Sequence, residues 1–140
     1  MKYILTIQGE SGNIVIRSEN NKGIIKKVDF LISQDELDTS DKSERMFNTV
    51  VVRGTINDKT QSDTKELLEW SMKTAKTEAY KNVSLIIKKD EDVIRDYYMK
   101  DMFCTKYLEF FDEGSDSSKG EFILEMRQRK GSIETIVVEC

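Results

Sequence analysis

Asp63-Thr64-Lys65-Glu66-Leu67-Leu68-Glu69-Trp70-Ser71-Met72-Lys73-Thr74-Ala75 is the one stretch that reads clearly as a helix, and alternating strand patterns lie on either side of it. Asp63 offers an acceptor at the N-cap, and Glu66 three residues on can reach back, so Asp-Thr-Lys-Glu has the form of a capping box. Leu67, Leu68, Trp70, Met72 and Ala75 recur at helical spacing, which predicts one apolar face needing a sheet to bury it.

Upstream, Lys2 to Gln8 alternates as a strand, Gly9 to Gly12 reads as a turn, and Asn13 to Arg17 reads as a second strand, which together make a hairpin. Asn20 to Gly23 is a further turn. Ile24 to Ser33 alternates again, with Ile24, Lys26, Val28, Phe30 and Ile32 on one side. Thr49 to Ile56 is β-branched, with Gly54 marking a bulge or a close approach of backbone. Downstream of the helix, Thr77 to Lys81 is a connection, Asn82 to Lys88 a strand and Lys89 to Asp92 a turn. Val93 to Phe111 is the longest extended stretch. Its alternation puts Tyr98, Lys100, Met102, Cys104 and Lys106 on one side and Tyr97, Met99, Asp101, Phe103 and Tyr107 on the other, with a break expected near Leu108. Asp112 to Gly120 has the composition of a flexible tip, Glu121 to Arg129 alternates Phe122, Leu124 and Met126 against charge, and Ile133 to Val138 closes the chain. Many antiparallel strands with one inserted helix and no βαβ rhythm define an α+β, mainly antiparallel β domain: a small barrel or sandwich. One domain accounts for all 140 residues.

Charged residues are 34% of the chain and the net charge is −4, without a concentrated basic face, so neither a nucleic acid nor an anionic membrane is the expected partner. The first apolar run ends at Gln8, too short for a signal segment or a membrane span, so a cytoplasmic place of assembly is expected. The chain has no histidine, which removes the usual general base and the commonest metal ligand. Cys104 and Cys140 lack metal-ligand spacing and read as reduced thiols. Acidic pairs such as Glu91 with Asp92 and Asp112 with Glu113 fall in turns, where carboxylates are ordinarily solvated. Trp70, Tyr80, Tyr97 and Tyr98 sit at helix or strand spacing, as core aromatics do. No catalytic, cofactor-binding or metal-binding residues emerge, and the chain is not expected to be an enzyme.

One segment breaks the strand pattern. Gln34 to Phe47 carries Asp35, Glu36, Asp38, Asp41 and Glu44 against Lys42 and Arg45. Structureless connections of this length are uncommon in compact domains unless they reach a partner, although a solvated insertion is the plain alternative. A calcium loop would need a glycine and a terminal glutamate that the segment lacks.

From about Thr49 onward the order of elements resembles the Hcp family, the tube protein of type VI secretion, and the related contractile phage tail tubes. The residues carrying the resemblance are VVRGTINDKTQSDTKELLEW as strand into helix, NVSLIIKK as the next strand, YYMKDMFCTKY as a tyrosine-led long strand and EFILEMRQRKGSIET at the end, with MKYILTIQGESG similar to the family's first strand and turn. Asn13 to Phe47 departs from the pattern. The resemblance implies six-membered rings without an active site that stack into the inner tube of a secretion, injection or phage-tail-like apparatus. It also implies sheath, baseplate or tip proteins as partners, cargo in the lumen, and ejection without a signal peptide. The long loop would reach the neighbouring ring, so Asp35, Glu36, Asp38, Asp41 and Glu44 become stacking residues, with Arg127, Arg129 and Lys130 as the basic counterpart. Strands apolar on both faces, in a chain without proline to blunt their edges, independently suggest that partner chains cover part of the sheet. Two other readings are a non-catalytic β-sandwich adaptor or binding module and a hydrolase built on carboxylates alone.

Overall fold

A computed structural model describes residues 1–9, 12–17, 24–34, 46–58, 60–113, 120–129 and 136–139. The strands are β1 (Lys2–Gly9), β2 (Gly12–Arg17), β3 (Ile25–Gln34), β4 (Met46–Ile56), β5 (Lys81–Lys89), β6 (Asp92–Phe110), β7 (Gly120–Gln128) and β8 (Val137–Glu139). Two helices, α1 (Gln61–Ser71) and the single turn α2 (Lys76–Ala79), stand between β4 and β5. All strand pairs are antiparallel, in the order β2-β1-β5-β6-β7-β4-β3, and β8 joins β6 off that path. Among the described residues no ladder joins β2 to β3, so the sheet is open where a closed barrel was one of the expected forms.

The open sheet nevertheless folds over on itself. Residues 92–102 of β6 pair with β5 and residues 102–110 with β7, so this one strand belongs to two layers. The first layer is β2, β1, β5, the first half of β6 and β8; the second is the rest of β6, β7, β4 and β3. Phe30 of β3 stacks on Tyr97 of β6 with ring centroids 4.4 Å apart. Within a flat sheet these residues would stand about 14 Å apart across three strand spacings, so only a folded sheet brings them together. Leu5, Ile7, Ile16, Val83, Leu85 and Met99 from the first layer and Val50, Val52, Met102, Phe122, Leu124 and Met126 from the second fill the space between, all fully buried. Gly54 permits the tightest approach: a Cβ there would lie 2.1 Å from the Ile24 carbonyl oxygen, next to the hydrogen bond from Thr55 N to that same oxygen.

The faces of β6 differ from those that unbroken alternation predicts. Asp101 adopts φ 56, a left-handed backbone that Asp tolerates better than most residues. Its NH donates to Asn82 Oδ1 and its carbonyl accepts from Arg129 N. A second register shift lies between Cys104 and Lys106. Each irregularity inserts a residue and resets the alternation, so Tyr97, Met99, Met102, Cys104 and Tyr107 all pack toward the core. No register shift falls at Leu108; the shifts in β6 lie earlier, between Val93 and Arg95, between Met99 and Met102, and between Cys104 and Lys106.

The helix also starts earlier than expected. Thr60 is the N-cap and Asp63 the third helical residue, so the capping box at Asp63 does not form. Asn57 and Thr60 set the start instead: Asn57 N donates to Thr60 Oγ1, Thr60 N donates to Asn57 Oδ1, and the Thr60 hydroxyl donates to the Thr55 carbonyl. The Thr60 hydroxyl oxygen accepts from Asn57 N rather than from a helical NH, and it makes no cap bond to the helix. Thr64, Leu67 and Trp70 form the buried face, while Leu68, Met72 and Ala75 are exposed. The helix ends at Ser71, so Met72 and Ala75 lie beyond it. Trp70 Nε1 donates to the Ala79 carbonyl at 2.9 Å, which ties α1 to α2.

Candidate assembly surface

The residues expected to act in assembly divide between described and undescribed parts of the chain. Asp35, Glu36, Asp38, Asp41 and Glu44, together with Lys130, lie outside the described residues, as does Cys140. The segment's anchors are defined: β3 runs to Gln34, β4 resumes at Met46, and these two residues are paired. Arg127 and Arg129 are defined too, and the ladder places them at the segment's own end of the second layer, since Arg127 is opposite Thr49 and Thr49 is opposite Leu31.

Arg127 lies on the outward face of β7 with its guanidinium 4.4 Å from the centre of the Phe47 ring. Such cation–π contacts orient a guanidinium without neutralising it. Its Nε is shielded from solvent and finds no hydrogen-bond acceptor among the described residues. Arg129 sits over Tyr80 at 5.6 Å, and Tyr80 meets Phe103 edge to face. The opposite end of this layer has a comparable arrangement, with Arg53 over Phe110 and Glu121 paired to Lys26 at 2.5 Å and to Arg53 at 3.9 Å. The outward face of the second layer is thus a lattice of opposite charges and aromatic rings.

Behind that face the ionisable groups are subdued. Burial pushes the Cys104 thiol up to about 11, the Glu125 carboxylate adds to the rise, and a hydrogen bond from the Lys106 backbone opposes it. Cys104 is therefore a protonated, half-buried strand residue at neutral pH. β8 pairs with β6 so that Val137 faces Tyr98 and Glu139 faces Asp96. Burial likewise raises the Tyr107 hydroxyl, reinforced by its 2.9 Å hydrogen bond to Glu109 Oε1; the Tyr107 hydroxyl also lies 3.3 Å from the Thr64 carbonyl oxygen and so links α1 to β6. Asp63 is raised by burial and then by neighbouring Glu66. Among the described residues no group of three or more acidic or cysteine side chains could hold a metal ion, and no helix is long and apolar enough to cross a membrane.

A cleft of about 270 Å³ opens between α1 and β2, floored by Trp70 and Ile14 and rimmed by Glu66, Glu69 and Lys73. Lys73 on its rim is paired with Glu78 at 3.9 Å.

This architecture is that of the Hcp-type tube proteins. Over 100% of this chain and 99% of the other, it is similar to Hcp1 from the E. coli EAEC 042 pathovar, with a TM-score of 0.61 and 10% identity. Hcp1 from Flavobacterium johnsoniae is similar over 99% of this chain and 94% of that one, with a TM-score of 0.55 and 16% identity. A chain of the PVC sheath–tube complex, from an extracellular contractile injection system in its extended state, matches over 99% and 88% with a TM-score of 0.50 and 15% identity. No family model and no curated protein sequence matches the chain.

Proposed function

We propose that the protein is a structural tube subunit that forms six-membered rings and stacks them into the inner tube of a contractile secretion or injection apparatus. The observation that supports this best is full-length similarity, at both chains' scale, to Hcp1 proteins and to a chain of a sheath–tube complex. In this reading the chain does no chemistry. Its partners are copies of itself, with sheath, baseplate or tip proteins around them and cargo in the lumen. Assembly takes place in the cytoplasm, and ejection would need no signal peptide. The alternating charges on the outward face of the second layer suit a surface that stays wet.

Ring stacking is assigned to the acidic segment between Gln34 and Phe47, with Asp35, Glu36, Asp38, Asp41 and Glu44 as its charges and Arg127, Arg129 and Lys130 as the basic counterpart. Arg127 supports this, because its shielded Nε has a donor to offer a carboxylate. Negative-stain electron microscopy of concentrated protein tests the reading. Six domains of this length, each about 37 Å across, close a ring about 110 Å in outer diameter. Rings of that size and stacks of them are expected; monodisperse monomers at every concentration would refute the reading.

A further inference from the structure

On the first layer, the side chains that point away from the core line up in registered rows, because strand pairing sets them side by side. One row runs Val15, Thr6, Ser84, Tyr98 and Val137 across all five strands. Beside it Ile4 is paired with Ile86. None of these seven residues is charged, although charge makes up 34% of the chain and core positions exclude it. On the second layer charge runs through the outward rows instead, with Asp29, Arg53, Glu125 and Arg127 interleaved with Leu31, Val51 and Ile123. Charge returns at the border of the row: Arg17 opposite Ile4 at one end, and Asp96 with Glu139 at the other. α1 does not serve this face, since Leu67 and Trp70 go to the core.

An uncharged centre inside a charged border is how protein interfaces are built. We propose that this face packs against a second copy of the chain, an inference that rests on the ring reading above. Ring contacts are heterologous, so the row on one protomer meets a different surface on the next. That surface is the β3 edge, where Leu31 is 55% and Ile32 43% exposed and where no strand pairs along the far side among the described residues. Four strand spacings make the row about 19 Å wide. A standard interface of about 800 Å² per partner is roughly 28 Å across, so the row fills its centre and Arg17, Asp96 and Glu139 form its rim.

The test uses the full chain with Ile86→Glu and, separately, Leu31→Glu, each followed by light scattering on a sizing column and by thermal unfolding. Both variants are expected to stay folded and to lose association roughly thirtyfold or more, the scale of truncating a central contact. Lys106→Glu, on the exposed outer side of the second layer, is expected to keep rings. Should Ile86→Glu fail to fold, Ser84→Lys places the charge in the same row at a half-buried polar position. Rings that survive a folded Ile86→Glu or Ser84→Lys overturn the face. Rings that survive Leu31→Glu overturn its pairing with β3. A parent chain that never leaves the monomer defeats the ring reading itself, which is a different result from rings indifferent to the face.

Discussion

The two layers share one interior and differ in how charge is arranged on their exteriors. Both bury fully enclosed aliphatic and methionine side chains between them, Leu5 and Leu85 from one side and Leu124 and Met126 from the other. Outside, the first layer gathers Thr6, Ser84, Ile86 and Tyr98 between Arg17 on one side and Asp96 and Glu139 on the other, while the second interleaves Arg53, Glu121, Glu125 and Arg127 with Val51 and Ile123. Folding requires only the interiors, so the exteriors are free to differ, and the contrast records what each face meets. Substitutions pointing inward should therefore unfold the protein in either layer, and those pointing outward should alter association alone.

The most severe inward change is expected at Gly54. In Gly54→Ala the new methyl group would stand 2.1 Å from the Ile24 carbonyl oxygen and 2.8 Å from the Phe122 ring. The first neighbour is backbone and the second a fully buried side chain, so neither yields, and the bond from Thr55 N to Ile24 O lies in the same place. A destabilisation above about 4 kcal/mol is expected, with loss of soluble folded protein. A Gly54→Ala chain that unfolds within about 1 kcal/mol of the parent in urea would show that β3 and β4 are not seamed this tightly.

Trp70→Ala comes next, at about 3–5 kcal/mol for a buried large-to-small change. Trp70 is 3% exposed, and its Nε1 bond to Ala79 is lost as well. Leu68→Ala is the internal control: Leu68 is 37% exposed on the far side of the same helix, and its loss should cost less than about 1 kcal/mol. Equal costs would mean that α1 is rotated relative to its described setting.

These two residues also show what the sequence could reveal. Periodicity found the helix and most of its buried face, but Leu67 and Leu68 fit a helical stripe equally well, and only the position of the sheet decides between them. The capping box at Asp63 was a sound local pattern that lost to a turn, Asn57 to Thr60, whose hydrogen bonds reach back to β4. Alternation read β7 correctly and misread β6 after Asp101, because a left-handed residue and a register shift each move later side chains by one position and neither leaves a mark in composition. Gly54 was legible as a bulge or a close approach, and both occur there: the β3–β4 register shifts beside it, and the Ile24 carbonyl oxygen sits where a Cβ would be. The segment from Gln34 to Phe47 was legible only as an anomaly: charged and too long for a turn. The uncharged row on the first layer was invisible, since it exists only once five strands are in register.

A smaller effect is expected from pH. The folded state holds the Asp63 proton more tightly than the unfolded state, first through burial and then through Glu66. Between the ordinary value of 3.8 and the raised one, the folded chain binds the extra proton, so this contribution is present at low pH and lost as pH rises through that window. Asp63→Asn should flatten that part of the profile by a fraction of a kcal/mol, because the group is only partly shielded. Urea midpoints for parent and variant at about pH 4 and about pH 6 measure the difference. A variant whose profile parallels the parent's would place the slope on other carboxylates.

The smallest effect on folding, and the most informative for assembly, is expected from deleting Asp38 to Ser43. The six residues add three charges, Asp38, Asp41 and Lys42, and no apolar side chain. Their removal should leave the urea midpoint within experimental scatter, since the paired anchors Gln34 and Met46 and the contact between Phe47 and Arg127 remain. What should change is stacking. The full segment from 35 to 45 is about 36–40 Å in contour, hence about 18 Å in reach when doubled back, enough to cross between rings; the shortened one has less than half of that. Stacking by the parent should weaken with salt, because exposed charge pairs are screened beyond a Debye length of about 8 Å at physiological ionic strength. Arg127 lies at the end of the sheet from which its own segment leaves, so a carboxylate of the same protomer competes with one from the next ring. Arg127→Gln separates these cases: if the guanidinium serves stacking, the variant loses tubes and keeps rings, and combining it with the deletion adds little. If it serves its own protomer, the variant loses stability instead and stacks as the parent does.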